Sequence, residues 1–246
     1  MQLKIITYNL HKGFSIGNMR FALPQIRDAL AQTNADVVFL QEVQGEHVGK
    51  QKKIVNWPKQ PQFEFLADQL WSHYAYAKNA IYRSGHHGNA ILSKYPFISW
   101  ENINVSASRL ASRSLLHGVI QLPDEKTCHV ICIHLGLFEL ERKHQLSILS
   151  QRIESHIPKQ DNLIIAGDFN DWRQRAERHL KQDLNVQEVF QLLQGQHAKT
   201  YPAHWPLLSV DRVYCRGVKP IGCACLNTPT WKRLSDHIPL VAEFDL

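Results

Sequence analysis

The run Leu163-Ile164-Ile165 passes through Ala166 and Gly167 into Asp168-Phe169-Asn170-Asp171, so an apolar segment ends in two acids and an amide. Residues two apart in extended chain share a face, which points Asp168 and Asn170 the same way and Phe169 the other way, into a core. Gly167 lets the backbone turn closely there. An acid that orients or deprotonates water, beside an amide that holds a phosphate oxygen, is half of a hydrolytic site. The other half has candidates at further run ends: Asn9, Gln41-Glu42, His134, Asp211 and Ser235-Asp236-His237. Glu42, Asp168, Asp236 and Asn9 offer hard oxygens suited to Mg²⁺ or Mn²⁺. His134 and His237 can donate hydrogen bonds to a phosphate. Asp211 can fix the tautomer of one of them, as a buried acid does for a catalytic imidazole. Carboxylates, a hard metal and histidines together make a toolkit for cleaving phosphodiesters. A plain Asx turn is the competing reading of 168–170, and Asp171 reads as the N-cap of a short helix before Trp172-Arg173.

These residues need strands that end at one rim. Runs rich in Ile, Val and Tyr predict strands over 3–8, 37–41, 75–82, 89–93, 97–105, 115–122, 128–134, 163–166, 209–215 and 239–244. Apolar residues at spacings of three and four predict helices over 22–33, 63–71, 138–156, 175–180 and 187–193. No Ser/Gly/Pro linker divides the chain, so residues 1–246 read as one domain. Mixed strand–strand and strand–helix connections predict an α/β (α+β) architecture, two stacked sheets with helices outside.

The net charge of +6, with 14 further histidines, suits an anionic partner such as nucleic acid or phospholipid. Lys and Arg are scattered, with no run of five like charges. The opening residues read as a first strand rather than a signal peptide. No stretch approaches the ~18 apolar residues of a membrane helix, so no integral membrane association is expected. Five cysteines fit neither a disulfide framework nor a CxxC pair, although Cys223 and Cys225 share a strand face. Buried thiols and a cytoplasmic, monomeric protein are the expectation.

Asn9, Gln41-Glu42, His134-Leu135, the Gly-Asp-Phe-Asn of 167–170, Asp211 and the Ser-Asp-His-Ile-Pro of 235–239 resemble, in order, the motifs of the endonuclease/exonuclease/phosphatase superfamily. The resemblance spans nearly the whole chain. It implies a four-layer αββα sandwich of two packed mixed β-sheets flanked by helices, and a Mg²⁺- or Mn²⁺-dependent hydrolase. By similarity Glu42 is the main metal ligand with Asn9 beside it, and Asp236 is a second acidic ligand or shell residue. Asp168 orients or deprotonates the attacking water, Asn170 positions it, His237 stabilises the phosphate and Asp211 orients His237. His134 matches the acid of the deoxyribonuclease-like members, which separates this chain from the exonuclease III-type, and no acid partnering it is identified.

The substrate follows less closely. A nuclease acting on DNA or RNA is the leading expectation, and the alternative is a phosphodiesterase or phosphatase acting on a phospholipid headgroup or small phosphorylated molecule. A membrane-acting member would need an exposed apolar hairpin, and the sequence shows none of convincing length. Arg113, Asn89 and Trp231 are candidate substrate-binding residues. Asn89 closes a polar, Gly-containing loop over 83–89 that includes His86-His87, a weak pair of metal ligands. Arg109 is a second anion clamp, and Trp172 and Trp205 are possible stacking platforms. Arg142 and Gln145 are expected to brace the site.

Overall fold

The computed structural model describes residues 1–107, 112–175, 180 and 184–246. Arg109 and most of the helix expected over 175–180 lie outside these residues. Twelve strands among the described residues form two six-stranded sheets. The first runs β11 (Lys219–Cys225), β12 (Leu240–Asp245), β1 (Gln2–Asn9), β2 (Val37–His47), β4 (Gly85–Ser93) and β3 (His73–Tyr82). The second runs β5 (Phe97–Asn104), β6 (Ser114–Gln121), β7 (Thr127–His134), β8 (Asn162–Asp168), β10 (Asp211–Arg216) and β9 (Gln187–Glu188). Each sheet holds a parallel pair, β1–β2 and β7–β8. Parallel neighbours need a crossover, supplied by α1 (Leu23–Thr33) in the first sheet and α4 (Glu139–His156) in the second. Shorter helices are α2 (Val48–Lys53), α3 (Gln62–Ala67) and α5 (Val189–Gln194).

Three apolar layers separate four layers of structure. Leu3, Ile5, Phe39 and Ile91 of the first sheet meet Leu116, Val130, Ile164 and Val213 of the second in the central core. The outer face of the first sheet, including Ile6, Val38 and Leu92, packs on Ile26 and Leu30 of α1 and on Phe63 and Leu66 of α3. The outer face of the second, including Ile131, Ile133 and Ile165, packs on Leu146, Leu149 and Ile153 of α4. The inner strands are therefore apolar on both faces, which is why 163–166 reads as one unbroken apolar run. This is the αββα sandwich that the resemblance implies.

Several local expectations change. Strand β11 begins at Lys219, ahead of the strand face read only for Cys223 and Cys225, because Pro220 and Gly222 break its β pattern. The segment expected as a helix over 187–193 begins as the strand β9 and becomes helical at Val189, where Glu188 accepts from the Gln191 N–H at 2.6 Å as its N-cap. The helix expected over 63–71 closes at Ala67. Residues 83–89 are not a loop: only Arg83 and Ser84 separate β3 from β4. Asp171 opens a turn, closed by the Gln174 N–H to its carbonyl at 3.1 Å, rather than capping a helix at 172.

Candidate active site

The site lies where the strands of the central core stop being apolar. On β7, Cys128, Val130 and Cys132 face that core, and the same alternation delivers His134. On β8, Ile164 and Ala166 lead to Asp168; on β1, Leu3 and Ile5 lead through Thr7 to Asn9; on β10, Val213 and Cys215 share their face with Asp211. Period-two geometry thus brings four polar side chains to one end of the gap between the sheets. Register completes the arrangement, because Asp168 stands opposite His134 on one side and opposite Asp211 on the other.

Glu42 does not follow from this alternation. It has the parity of Val38 and Leu40, which face outward against the helices. The β2–β4 pairing jumps between Leu40 and Val43, and Glu42 takes φ of 55°. This bulge re-aims the carboxylate into the cleft, a recurrent use of bulges beside sites. Gln41 remains buried beneath it, donating through Nε2 to Thr7 Oγ1 at 3.2 Å and to Cys132 Sγ at 3.3 Å.

Gly167 is fixed by a close approach. It takes φ of 148°, and a Cβ there would lie 2.0 Å from the Ile133 carbonyl oxygen. Asn170 is not extended, since its φ is 48°. Asp168 Oδ1 accepts from the Asn170 N–H at 2.9 Å, which is Asx-turn geometry. Asn170 Nδ2 then donates to the Leu135 carbonyl at 2.9 Å. The turn and the site are the same object, and Phe169 is buried against Tyr214, 5.1 Å between ring centroids.

His237 Nδ1 lies 2.9 Å from Asp211 Oδ2, and its Nε2 lies 3.9 Å from Asp168 Oδ2. His134 Nε2 reaches the same oxygen at 3.6 Å, and Asn9 Nδ2 donates to it at 3.1 Å. Burial disfavours the charged form of His237, but Asp211 outweighs it and raises the imidazole to about 10. Burial and the Arg113 charge push His134 down to about 3, so it is neutral at pH 7. Burial raises Asp168, with Asp211 adding and His237 opposing. Burial also raises Glu42, but His134 and Lys12 overcome it and hold the carboxyl well below the usual carboxylate range. With His134 neutral, the fixed charge responsible is the Lys12 ammonium at 3.3 Å.

Asn9, Glu42, Arg113, His134, Asp168, Asn170, Asp236 and His237 line one cleft of about 250 Å³. Asp211 lies behind it, buried under His237. Two of the expected substrate contacts are elsewhere. Trp231 is 7% exposed and packs edge-on to Tyr8 in the core beneath α1, 5.3 Å between centroids, because its indole is apolar bulk that the helix layer absorbs. Asn89 is fully buried, donating to the Ser114 carbonyl at 3.0 Å, and presents no surface to a substrate. His86 hydrogen-bonds Tyr76 OH at 3.0 Å, and no metal group among the described residues includes it or His87. Arg142 and Gln145 brace the site as expected: Arg142 Nη1 donates to the Gly136 and Leu137 carbonyls at 3.2 and 2.5 Å, and Gln145 Oε1 accepts from the Gly136 N–H at 2.8 Å.

Several participants escape the sequence reading, Leu137 and Val210 of the cleft wall among them. His11 Nδ1 holds Asp236 Oδ2 at 2.7 Å, and Lys12 holds Glu42. Both follow Asn9 with positive φ, 46° and 56°, and the signal was their adjacency to that strand end. Tyr201 packs on His237, 5.0 Å between ring centroids, and Leu208 completes the wall. Nothing in the sequence near 201–208 marks them.

A divalent cation has a fitting donor set here. Glu42, Asn9, Asp168 and Asp236 present hard oxygens to one cleft. Among the described residues, Asp168, Asp211 and His237 form a group with donor atoms within 4.8 Å of one another. Asp211 Oδ2 and His237 Nδ1 already engage each other at 2.9 Å, however, so that pair is arranged to hold a proton, and Glu42 is the carboxylate that would hold a cation.

The family model described as the endonuclease/exonuclease/phosphatase family matches residues 6–237. The protein YbhP of Escherichia coli K12 is 44% identical over 244 residues, covering 99% of this chain and 96% of that one. An endonuclease/exonuclease/phosphatase structure from Beutenbergia cavernae superposes with a TM-score of 0.80 at 18% identity, covering all of this chain and 72% of that one. The D. rerio TDP2 structure complexed with single strand DNA product superposes at 0.74 with 20% identity, covering all of this chain and 99% of that one. At these identities the superpositions speak for the fold.

Proposed function

This chain belongs to the endonuclease/exonuclease/phosphatase family, and from that membership and its cleft we propose that it is a Mg²⁺- or Mn²⁺-dependent phosphodiester hydrolase. The observation that carries the proposal is the convergence on Asp168 Oδ2 of Asn9, His134 and the Asp211-held His237 within 3.9 Å. Glu42, Asn9 and Asp236 would hold the cation, which neutralises phosphate charge and activates the phosphorus to attack. Asp168, its carboxyl raised by burial, takes the proton of the attacking water. Asn9 and the Asn170 backbone fix the orientation of that carboxylate. His237, kept protonated by Asp211, donates from Nε2 to a phosphate oxygen as charge develops there. His134 acts as a neutral hydrogen-bonding imidazole rather than as a cationic acid, because burial and Arg113 keep it unprotonated.

Two substrate classes fit. A nucleic-acid strand is supported by the net charge of +6 and by Arg113 at the cleft. Charge alone does not separate nucleic acid from an anionic phospholipid headgroup, and the walls favour the second: Leu137, Leu208 and Val210 border the polar groups. One panel with Mg²⁺ or Mn²⁺ tests the reading: plasmid DNA, single-stranded RNA, sphingomyelin, phosphatidyl lipids and bis-p-nitrophenyl phosphate. Turnover of at least one is expected, abolished by EDTA and by Asp168→Ala or His237→Ala in folded protein. Full turnover in EDTA would sink the metal assignment, and lipid turnover without nicking would sink the nuclease.

A further inference from the structure

We infer that the mouth of the cleft is a docking surface for an anionic lipid bilayer, an inference that rests on the cleft being a phosphodiesterase site. Large apolar side chains stand out into solvent on the three segments that border it. Leu137, Phe138 and Leu140 follow β7 and are 58%, 76% and 81% exposed; Trp172 follows β8 at 41%; Trp205 and Leu207 lie on the 201–208 turn at 73% and 57%. Leu137, Trp172, Tyr201 and Leu208, from the same segments, line the cleft itself, so the apolar rim is continuous with the opening. Exposed apolar residues scattered singly need no explanation, but a patch gathered round a site marks a partner.

The rim is held, not loose. Arg142 ties down the Gly136 and Leu137 carbonyls and stacks its guanidinium 5.2 Å from the centre of the Trp172 ring. Leu207 and Leu208 donate their N–H groups to the Tyr201 carbonyl at 3.0 and 2.8 Å. The backbone therefore displays these side chains toward solvent.

The occupant follows from side-chain chemistry and charge. Half of the rim is aliphatic: Leu137, Leu140, Leu207 and Leu208 have no ring with which to stack a base, but they partition into hydrocarbon, with the tryptophans at its polar boundary. Glu139, an acid within this rim, is ringed by Lys143, Arg173 and Arg175. Across the opening, where Lys12 meets Glu42, segments 11–21, 45–60 and 78–88 carry eight Lys and Arg against Glu46 alone. The remaining chain holds 20 of the 28 basic and 21 of the 22 acidic residues, so these three segments carry the positive excess. Stacking of Phe21 on Trp57 at 4.9 Å and the Val48 N–H to the Ser84 carbonyl at 3.0 Å hold the three segments together. An anionic bilayer offers hydrocarbon to one flank and headgroup phosphates to the other.

Flotation of the full chain with phosphatidylglycerol vesicles in EDTA tests this without turnover, with phosphatidylcholine vesicles as the neutral arm. The protein should float with the anionic vesicles and less with the neutral ones. The double variant Leu140→Gln, Leu207→Gln should bind at least about tenfold more weakly with an unchanged Tm, since both side chains are exposed. No flotation of the wild type, or a double variant that floats equally well, would overturn the inference. Retention of a single-stranded oligonucleotide, lost in the same variant, with no vesicle binding, would overturn it in favour of nucleic acid. Hydrolysis of the same substrate panel with Mg²⁺ or Mn²⁺ is measured separately: turnover without flotation defeats docking alone, and flotation without turnover of any member defeats the phosphodiesterase reading alone.

Discussion

Asp211 sets the state of His237. The two are buried 2.9 Å apart, and the acid lifts the imidazole to about 10 against the pull of burial. A histidine raised above its unfolded value near ~6.5 contributes stability that is full below that pH and lost as pH climbs through the folded value. His134 runs the other way: lowered to about 3, it stays neutral in the fold while the unfolded chain takes up a proton first, so stability falls as pH drops from ~6.5 toward 3. In the metal-free protein, NMR should show the His237 ring still charged at pH 8 and the His134 ring still neutral at pH 5. Asp211→Asn should return the His237 titration to ~6.5 or below and lower kcat by about 10²–10⁴-fold. A wild-type His237 that titrates near neutrality contradicts the assignment.

Strand alternation places most of the site, and its exceptions mark where the backbone had to be bent. Asn9, His134, Asp168 and Asp211 continue faces already chosen by the central core, so their convergence was legible once the apolar runs were aligned. Glu42 was legible as an acid at a strand end but not as a cleft residue, because its parity points it outward and only the bulge turns it in. Gly167 is the companion device, letting β8 pass close to β7 beside Asp168. Gly167→Ala should cost ~2 kcal/mol or more, since the new Cβ meets backbone rather than a side chain that can move. That corresponds to a Tm lower by roughly 4–8 °C in a chain of this size, read by thermal melting. An unchanged Tm would mean that the two strands separate more easily than their register indicates.

At the scale of the molecule, the polar groups of the site are drawn from β1, β2, β7, β8 and β10, from Arg113 just before β6, from Asn170 just after β8 and from the segment before β12. No described helix is long and apolar enough to cross a membrane. We expect a 28.4 kDa monomer in light scattering at micromolar concentration, and a dimer required for turnover would overturn that expectation. A bound cation stabilises the fold by mass action, so Mn²⁺ should raise the Tm of the wild type. Glu42→Gln should lose most of that rise while keeping the metal-free Tm within a few degrees, and a full Mn²⁺ shift in that variant would move the metal away from Glu42. The same scale redefines the charge. Lys and Arg look scattered along the sequence, yet three segments distant in the chain, joined to one another and meeting the cleft at Lys12, carry the positive excess.

The sequence by itself carried the outline: which polar types close which strands, their order, the two sheets implied by mixed strand–strand and strand–helix connections, and the family these residues resemble. Those features are local, carried by periodicity and by neighbours along the chain. Only the tertiary structure decided what depends on distant segments meeting. It put Trp231 and Asn89 inside, recruited His11, Lys12, Tyr201 and Leu208, and gathered leucines and tryptophans from three loops into one rim. Exposure is a property of packing, and a side chain's parity or spacing cannot report what another segment will cover.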